Sequence, residues 1–304
     1  MCLVAFAINV SARWPLLIAS NRDEFFDRPA LPMARWQTSA GHTIISGRDV
    51  LAGGTWLGMT PGGRIALLTN VRQIDAAPAR LSRGHLVMRW LENEMDAALF
   101  MTQTDSGDYG GFNLVVGDFQ SNSWTWLSNR SFNSDLINPE VDQSAHVPLN
   151  NGWCSRALSP GIYGLSNASL DTPWPKTLLL KSVLTEALGQ IPEETDGAQL
   201  EQSLWAALAN RSRASPGDLP HTGLPVAREQ ALSSVFVEEP ARRYGTRCST
   251  LLVASAAENL PQRGWNLRVT EKTHALHEAN PAVIKNATYA ISHDLQWRET
   301  SGSA

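Results

Sequence analysis

Cys2-Leu3-Val4-Ala5-Phe6-Ala7-Ile8 and Leu16-Leu17-Ile18-Ala19-Ser20-Asn21-Arg22-Asp23-Glu24 are two apolar runs joined by a short loop, and the second ends in a polar cluster. Hydrophobic runs separated by a loop containing Ser and Pro read as a β-hairpin. With Asn9 facing Leu16, Cys2 stands opposite Asp23, with Asn21 and Arg22 beside it. Facing Cβ atoms of an antiparallel pair lie roughly 4.5–5.5 Å apart. A slip of one residue brings Arg22 opposite Cys2 instead. Either register sets a near-terminal thiol against a charged side chain.

The rest of the chain is ordinary enough to exclude several classes. Its 304 residues are 43% hydrophobic and 18% charged, the composition of a soluble globular chain with a sizeable core. The expected organisation is a single domain over residues 1–304, with 211–230 a long loop or lid and 297–304 a frayed tail. A net charge of −4 argues against nucleic acid or an anionic membrane surface as partner. No stretch approaches the roughly 20 apolar residues of a membrane span, and the N-terminus lacks a basic region, so neither a transmembrane segment nor a signal peptide is expected. Three widely spaced cysteines, Cys2, Cys154 and Cys248, fit a reducing cytoplasm better than a disulfide framework. Eleven tryptophans against four tyrosines point to core packing or to an aromatic-lined pocket for an apolar ligand.

Further along, Pro29 and Pro32 mark 25–35 as irregular, and 42–46 reads as a short strand. Pro61-Gly62-Gly63 joins 53–60 to 64–70 as a hairpin. Facing Thr60 with Arg64 sets Asn70 opposite Gly54, where the missing side chain leaves room for another backbone or a ligand. Ser82 reads as the N-cap of one helix through about Met101. A hairpin covers 111–118 and 123–128, and a strand covers 161–166. Helices are expected from Thr172-Pro173 to about Leu188 and over 197–209. Strands are expected at 234–237, 248–255 and 266–270. Hairpins interrupted by long helices predict antiparallel sheets covered by helices, an α+β layered fold.

Cys2 is the sharpest chemical feature. With Met1 removed it carries a thiol and a free α-amine whose ordinary pKa, about 7.7–8.0, leaves part of it neutral near pH 7. Such an amine can take the proton of its own nucleophile. Asp23 is placed to orient the amine and Arg22 to favour thiolate. Amide donors of Asn70 and Asn167 suit the oxyanion of a tetrahedral intermediate. No metal site is expected: His274 and His277 read as a solvated pair, His85 as a helix-surface or capping residue, and His221 as a loop residue. Cys154 and Cys248 read as small core hydrophobes.

Cys2, Asn21-Arg22-Asp23-Glu24, Gly53-Gly54-Thr55-Trp56-Leu57-Gly58, Leu68-Thr69-Asn70, Ser82-Arg83-Gly84, Gly111-Phe112-Asn113-Leu114, Gly164-Leu165-Ser166-Asn167, Thr172-Pro173-Trp174-Pro175-Lys176 and Tyr244-Gly245-Thr246-Arg247 resemble the NRDE family of transport-and-Golgi-organisation proteins. That family is connected with haem trafficking and with acyl-CoA and lipid homeostasis. More distantly, the chain is similar to the choloylglycine hydrolase and penicillin V acylase group, N-terminal-nucleophile hydrolases with a four-layer αββα sandwich of antiparallel sheets. That resemblance implies Cys2 as nucleophile, Asp23 as the amine-orienting carboxylate, Asn70 and Asn167 as oxyanion donors and Arg247 as the late active-site arginine. Asn21, Arg22 and Trp56 are the expected substrate-binding residues. The group's first arginine falls at Ser20 here.

The leading expectation is therefore hydrolysis of an amide or acyl bond of an apolar small molecule, with no cofactor required. The alternative is a non-catalytic carrier on the same fold, binding haem or an acyl-CoA-like lipid, with Cys2 as a possible thiolate ligand to haem iron.

Overall fold

A computed structural model describes residues 2–74, 78–130, 147–148, 152–190, 197–256, 265–274, 283–291 and 299–300. Its strands are β1 (Cys2–Ile8), β2 (Leu16–Phe25), β3 (Ala30–Gln37), β4 (Thr43–Asp49), β5 (Leu57–Met59), β6 (Arg64–Asn70), β7 (Phe112–Asp118) and β8 (Ser123–Ser128). They continue with β9 (Val147–Pro148), β10 (Cys154–Ala157), β11 (Gly161–Leu165), β12 (Glu238–Glu239), β13 (Tyr244–Ala256), β14 (Trp265–Thr273), β15 (Val283–Ile291) and β16 (Glu299–Thr300). The helices are α1 (Gly84–Leu91), α2 (Ala97–Thr102), α3 (Pro175–Gln190), α4 (Ala198–Leu208) and α5 (Val226–Ala231). The chain forms two compact units, one from Met1–Asp27, Pro160–Leu165 and Asp171–Ala304, the other from Arg28–Ser159 and Ser166–Leu170.

The first unit holds one antiparallel sheet in the order β11-β1-β2-β13-β14-β15-β16, with β12 added to β13. Side chains of a strand alternate between faces. One face of β1, β2 and β13 presents Leu3, Ala5, Ala7, Leu17, Ala19, Leu251 and Val253 to Leu180 and Leu184 of α3 and Leu200 and Leu204 of α4. Each leucine buried there contributes about 1.5–3 kcal/mol. Helix α3 comes close to β11 at Gly164, where an added Cβ would meet the Thr177 side chain at 2.5 Å. The Lys181–Asp171 ion pair at 2.5 Å and the Gly164 amide donating to Asp171 Oδ1 at 2.8 Å hold that approach.

The opening hairpin is present, but in the other register. Cys2 pairs with Arg22, Leu3 with Asn21 and Ile8 with Leu16, so the expected Cys2–Asp23 pairing does not occur. Asn9, at φ 50°, donates its amide to Pro15 O at 2.7 Å, so Pro15 rather than Leu16 closes the loop. A buried face fixes register because a slip exposes apolar side chains. Every residue of β1 is buried, and with both faces covered the apolar pattern no longer separates the two registers.

The second unit holds the other antiparallel sheet, in the order β3-β4-β5-β6-β7-β8-β10-β9. Helices α1 and α2 bury Leu86, Trp90, Leu91 and Phe100 against Ile44, Ala66, Leu114 and Val116, with Trp153 at the centre of an aromatic group. Each unit is thus a helix layer on an antiparallel sheet, the α+β construction expected. Three local readings need correction. Residues 30–37 are a strand despite Pro32, because β3 is an edge strand whose register shifts between Leu31 and Ala34, where a proline is tolerated. The single helix over 82–101 is two, because Asp96 caps α2 by accepting from the Leu99 amide at 2.8 Å; Arg83, not Ser82, flanks α1. Residues 234–237 are buried but not a strand; pairing begins at Glu238. The β5–β6 register is as expected, with Thr60 N donating to Arg64 O at 2.8 Å.

Candidate functional site

The first unit gathers Cys2, Arg22, Asp23 and Arg247 at one end of its sheet. Arg22 is the centre of a row: Cys2 faces it from β1 and Cys248 faces it from β13. Directly opposed residues point to the same side, so two thiols flank one guanidinium. Arg22 is 6% exposed and Cys2 9%, and Arg22 approaches Glu24 at 3.8 Å. Burial raises the Cys2 thiol above its ordinary value; the positive amino terminus and Arg22 act to lower it, Asp23 and Glu24 to raise it further. Cys248 is pushed well above the ordinary range by burial and by Glu271, so it stays a thiol. Ser20, where the acylase-like group has arginine, lies between Val4 and Thr250.

Asp23, at 1% exposure, points to the opposite face from Arg22 and meets Thr246 across the β2–β13 pair. Thr246 Oγ1 donates to Asp23 Oδ1 at 2.8 Å. Burial raises the Asp23 carboxyl, while Lys176, the amino terminus, Thr246 and Arg22 all favour its charged form. Lys176 is buried near the start of α3.

Immediately after Thr246 the register shifts, and Arg247 is the extra residue of a β-bulge between Thr246 and Cys248. A bulge re-aims a side chain at a sheet edge or active site. Arg247 Nη1 donates to Phe25 O at 2.7 Å and Phe26 O at 3.2 Å, and the guanidinium lies over the Phe26 ring at 5.4 Å. Burial and the neighbouring Arg22 lower its pKa. The His274 amide donates to Arg247 O at 2.8 Å and the His274 ring bonds Ser249 Oγ at 2.9 Å. His274 is therefore a partly buried packing residue just after β14 rather than half of a solvated pair; His277 lies outside the described residues.

In the second unit Asn70 ends β6, and Asn167 Nδ2 donates to its carbonyl oxygen at 2.8 Å. Asn167 O in turn accepts from the Arg72 amide at 2.8 Å. The open position at Gly54 is taken by backbone: an added Cβ would lie 2.5 Å from the Gly84 carbonyl carbon. Trp56 packs on Gly47, where an added Cβ would lie 2.4 Å from its ring. Trp14, Trp90, Trp124, Trp126, Trp153 and Trp174 are buried, so core packing accounts for most of the tryptophan content. His85 Nε2 bonds Ala52 O at 2.7 Å, a structural tie. Among the described residues no group of three or more His, Cys, Asp or Glu is placed to hold a metal, and no helix is long and apolar enough to cross a membrane.

The family model described as Transport and Golgi organisation 2 matches residues 1–273. The chain belongs to that family. Its relatives include the Homo sapiens Transport and Golgi organization protein 2 homolog, 30% identical over 274 residues that cover 84% of this chain and 89% of that one. The Drosophila melanogaster protein is 25% identical over 305 residues, covering 90% and 98%. Among solved structures, a Caenorhabditis elegans N-acylethanolamine-hydrolyzing acid amidase ortholog matches with a TM-score of 0.46 at 13% identity, covering 86% of this chain and 94% of that one. A conjugated bile acid hydrolase from Clostridium perfringens matches with a TM-score of 0.43 at 10% identity, covering 94% and 96%.

In this family member Lys176, Thr246 and Tyr244, which carry no sequence signal of a role, lie within hydrogen-bond or electrostatic reach of Asp23. All three lie in sequence blocks already quoted, Thr172 to Lys176 and Tyr244 to Arg247, but nothing in their spacing ties them to Asp23. The pairing of β2 with β13 brings Thr246 and Tyr244 to it, while Lys176 acts on it from the start of α3. Tyr244 is buried, and its hydroxyl is pushed well above the ordinary range by burial, with Asp23, Glu24 and Cys2 adding to the effect. Asn21 turns out to be a structural tie: its Nδ2 donates to Leu208 O and Val235 O, both at 2.9 Å. Its amide protons face away from Cys2, into the helix side of the sheet.

Proposed function

We propose that this protein is an N-terminal-cysteine hydrolase cleaving an amide or acyl bond of an apolar small molecule. The observation that carries the reading is the placement of Cys2 opposite Arg22 and in the electrostatic reach of Asp23. After removal of Met1, Cys2 Sγ attacks the carbonyl carbon while its proton passes to its own α-amine. Resemblance assigns the oxyanion to the amide donors of Asn70 and Asn167. The C–N bond breaks as the ammonium returns the proton to the leaving amine. Water then cleaves the thioester, releasing the acid and restoring the thiol. Asp23 orients the amine, and Arg247 tunes Cys2 or holds a substrate carboxylate. Phe25, exposed, and Phe26, under Arg247, support an apolar substrate. Three free cysteines fit a reducing, cytoplasmic setting.

Intact mass and a Cys2→Ser variant test the reading. Retained Met1 in the active protein, or unchanged acyl turnover by Cys2→Ser, overturns it.

The second reading, a carrier of haem or an acyl-CoA-like lipid, is favoured by Ser20 in place of arginine and by Asn167 committing an amide proton to Asn70 O. For haem the fit is poor, because burial raises the Cys2 thiol and a haem ligand must be thiolate. A haem titration without a Soret change, together with no acyl-CoA binding, removes this reading.

A further inference from the structure

Thr246 is 1% exposed, Val237 is fully buried and Asp23 is 1% exposed, so the bonds among them form away from solvent. The Val237 amide donates to Thr246 Oγ1 at 2.9 Å, and the Thr246 amide donates to Val237 O at 2.9 Å. A hydroxyl has one proton to donate. With the Val237 N–H already directed into Oγ1, that proton goes to Asp23 Oδ1, 2.8 Å away. Gly245 lets the segment come this close, since an added Cβ would stand 2.6 Å from Val237 O. On the other side of Asp23, Asn21 holds Val235 O. The segment 235–237 is thus pinned by the residues flanking and facing the carboxylate, and the bulge carrying Arg247 starts directly after Thr246.

We propose that Thr246 is a positioning residue for Asp23, its hydroxyl fixed by the Val237 amide so that it donates only to Oδ1 and holds the carboxylate ionised and aimed. The inference rests on the hydrolase reading for what Asp23 then does, namely hold the Cys2 amine as the base. A hydrogen bond from a directed donor favours the charged acceptor, and here it opposes the burial of Asp23. The Lys176 charge acts in the same direction.

The test uses Met1-processed full-length protein and two variants, Thr246→Val, which keeps the shape and loses the hydroxyl, and Thr246→Ser, which restores it. The first readout is the pH profile of Cys2 alkylation by iodoacetamide, followed by peptide mass. Thr246→Val shifts the midpoint to lower pH, because a less firmly ionised Asp23 no longer opposes the thiolate; Thr246→Ser returns it. The second readout is hydrolysis of an acyl amide, which falls by roughly ten- to a hundredfold in Thr246→Val, the weight of one hydrogen bond to a charged group. An unchanged alkylation profile in Thr246→Val, or a shifted one that Ser does not restore, overturns the proposal. Should Thr246→Val not fold, Thr246→Ala is read in the same way. Alkylation reads the Asp23–Cys2 coupling whether or not the protein turns over substrate, so failure of the hydrolase reading, seen in Cys2→Ser, remains separate.

Discussion

Cys2 and Arg22 face one another across β1 and β2, and Cys248 faces the same guanidinium from β13. The two thiols share a cation but not a fate, because Cys248 also meets Glu271. Arg22→Gln removes the one side chain in this row that favours thiolate at both positions. Alkylation of Cys2 at pH 7.5 then slows by roughly three- to tenfold, a shift of up to one pKa unit, while Cys248 stays unlabelled in both proteins. Arg22→Lys restores the charge without the planar fork and recovers only part of the rate. Equal labelling of Cys2 in wild type and Arg22→Gln counts against any role for Arg22 in activating the thiol.

Asn21 sits between Arg22 and the helix layer, and its side chain ties α4 and the 235–237 segment to β2. Asn21→Leu leaves two carbonyls without their donor, each costing about 1–3 kcal/mol when buried. Urea unfolding should show a loss of about 2–6 kcal/mol, with KM for any substrate unchanged. A raised KM without lost stability would return Asn21 to the substrate-binding role expected of it.

What the sequence disclosed and what it concealed follow a physical division. The hairpins were legible because turn chemistry acts over a few residues: Pro61-Gly62-Gly63 set the β5–β6 register, and Gln120-Ser121-Asn122 joins β7 to β8, with Asn122 at φ 49°. The β1–β2 register was not, because a strand buried on both faces carries no alternation to separate a Cys2–Arg22 pairing from a Cys2–Asp23 pairing. Cys2, Asp23 and Arg247 were legible as a set through resemblance, and the first unit brings them to one sheet end. Thr246, Lys176 and Tyr244 were not, because their relation to Asp23 depends on strand pairing or helix placement across more than 150 residues of chain. Tryptophan content pointed first to core packing and second to a pocket, and burial places most of the tryptophans in the core.

His274 sets a pH dependence. Burial first, then Arg211 and Lys272, lower its pKa from 6.5 to about 4, so the unfolded chain takes up a proton before the folded one. Stability rises with pH where the unfolded state binds more protons. The His274 contribution is therefore complete above about pH 6.5 and is lost as pH falls toward 4, on the order of 1 kcal/mol once solvent screening at a partly exposed site is allowed for. The titrating ring bonds Ser249 Oγ at 2.9 Å, so the loss falls on β13 beside the bulge. His274→Gln should flatten this part of the stability–pH curve; an unchanged slope between pH 6.5 and 4 would assign the titration elsewhere.

Gly54 and Gly84 bring a loop and the start of α1 to backbone contact, 2.5 Å from where a Cβ would stand. Gly54→Ala has no flexible side chain to displace, so the clash must move the main chain. Overpacking of this kind costs about 1–3 kcal/mol, measurable as a lower urea midpoint. Gly53→Ala is the informative neighbour: it has open space but φ 75°, so its cost is conformational and comes without a steric contact.

Asn70 and Asn167 enter the proposed chemistry as equals, but their bonding separates them. Asn167 Nδ2 already donates to Asn70 O and its own carbonyl oxygen holds the Arg72 amide, so its side chain braces the end of β6. Asn70, half-buried at that end, is the one of the pair whose side chain is not engaged in that brace. Loss of an oxyanion donor costs about 10²–10³ in kcat. Asn70→Ala should therefore lower kcat by about 10²–10³ with KM little changed. Asn167→Asp, which sets a carboxylate against a carbonyl oxygen, should lower stability by about 1–3 kcal/mol and reduce kcat less than Asn70→Ala does. Stopped-flow acylation of the two variants decides the matter: a larger kcat loss in Asn167→Asp than in Asn70→Ala, at equal folded fraction, would reverse the assignment and make Asn167 the donor.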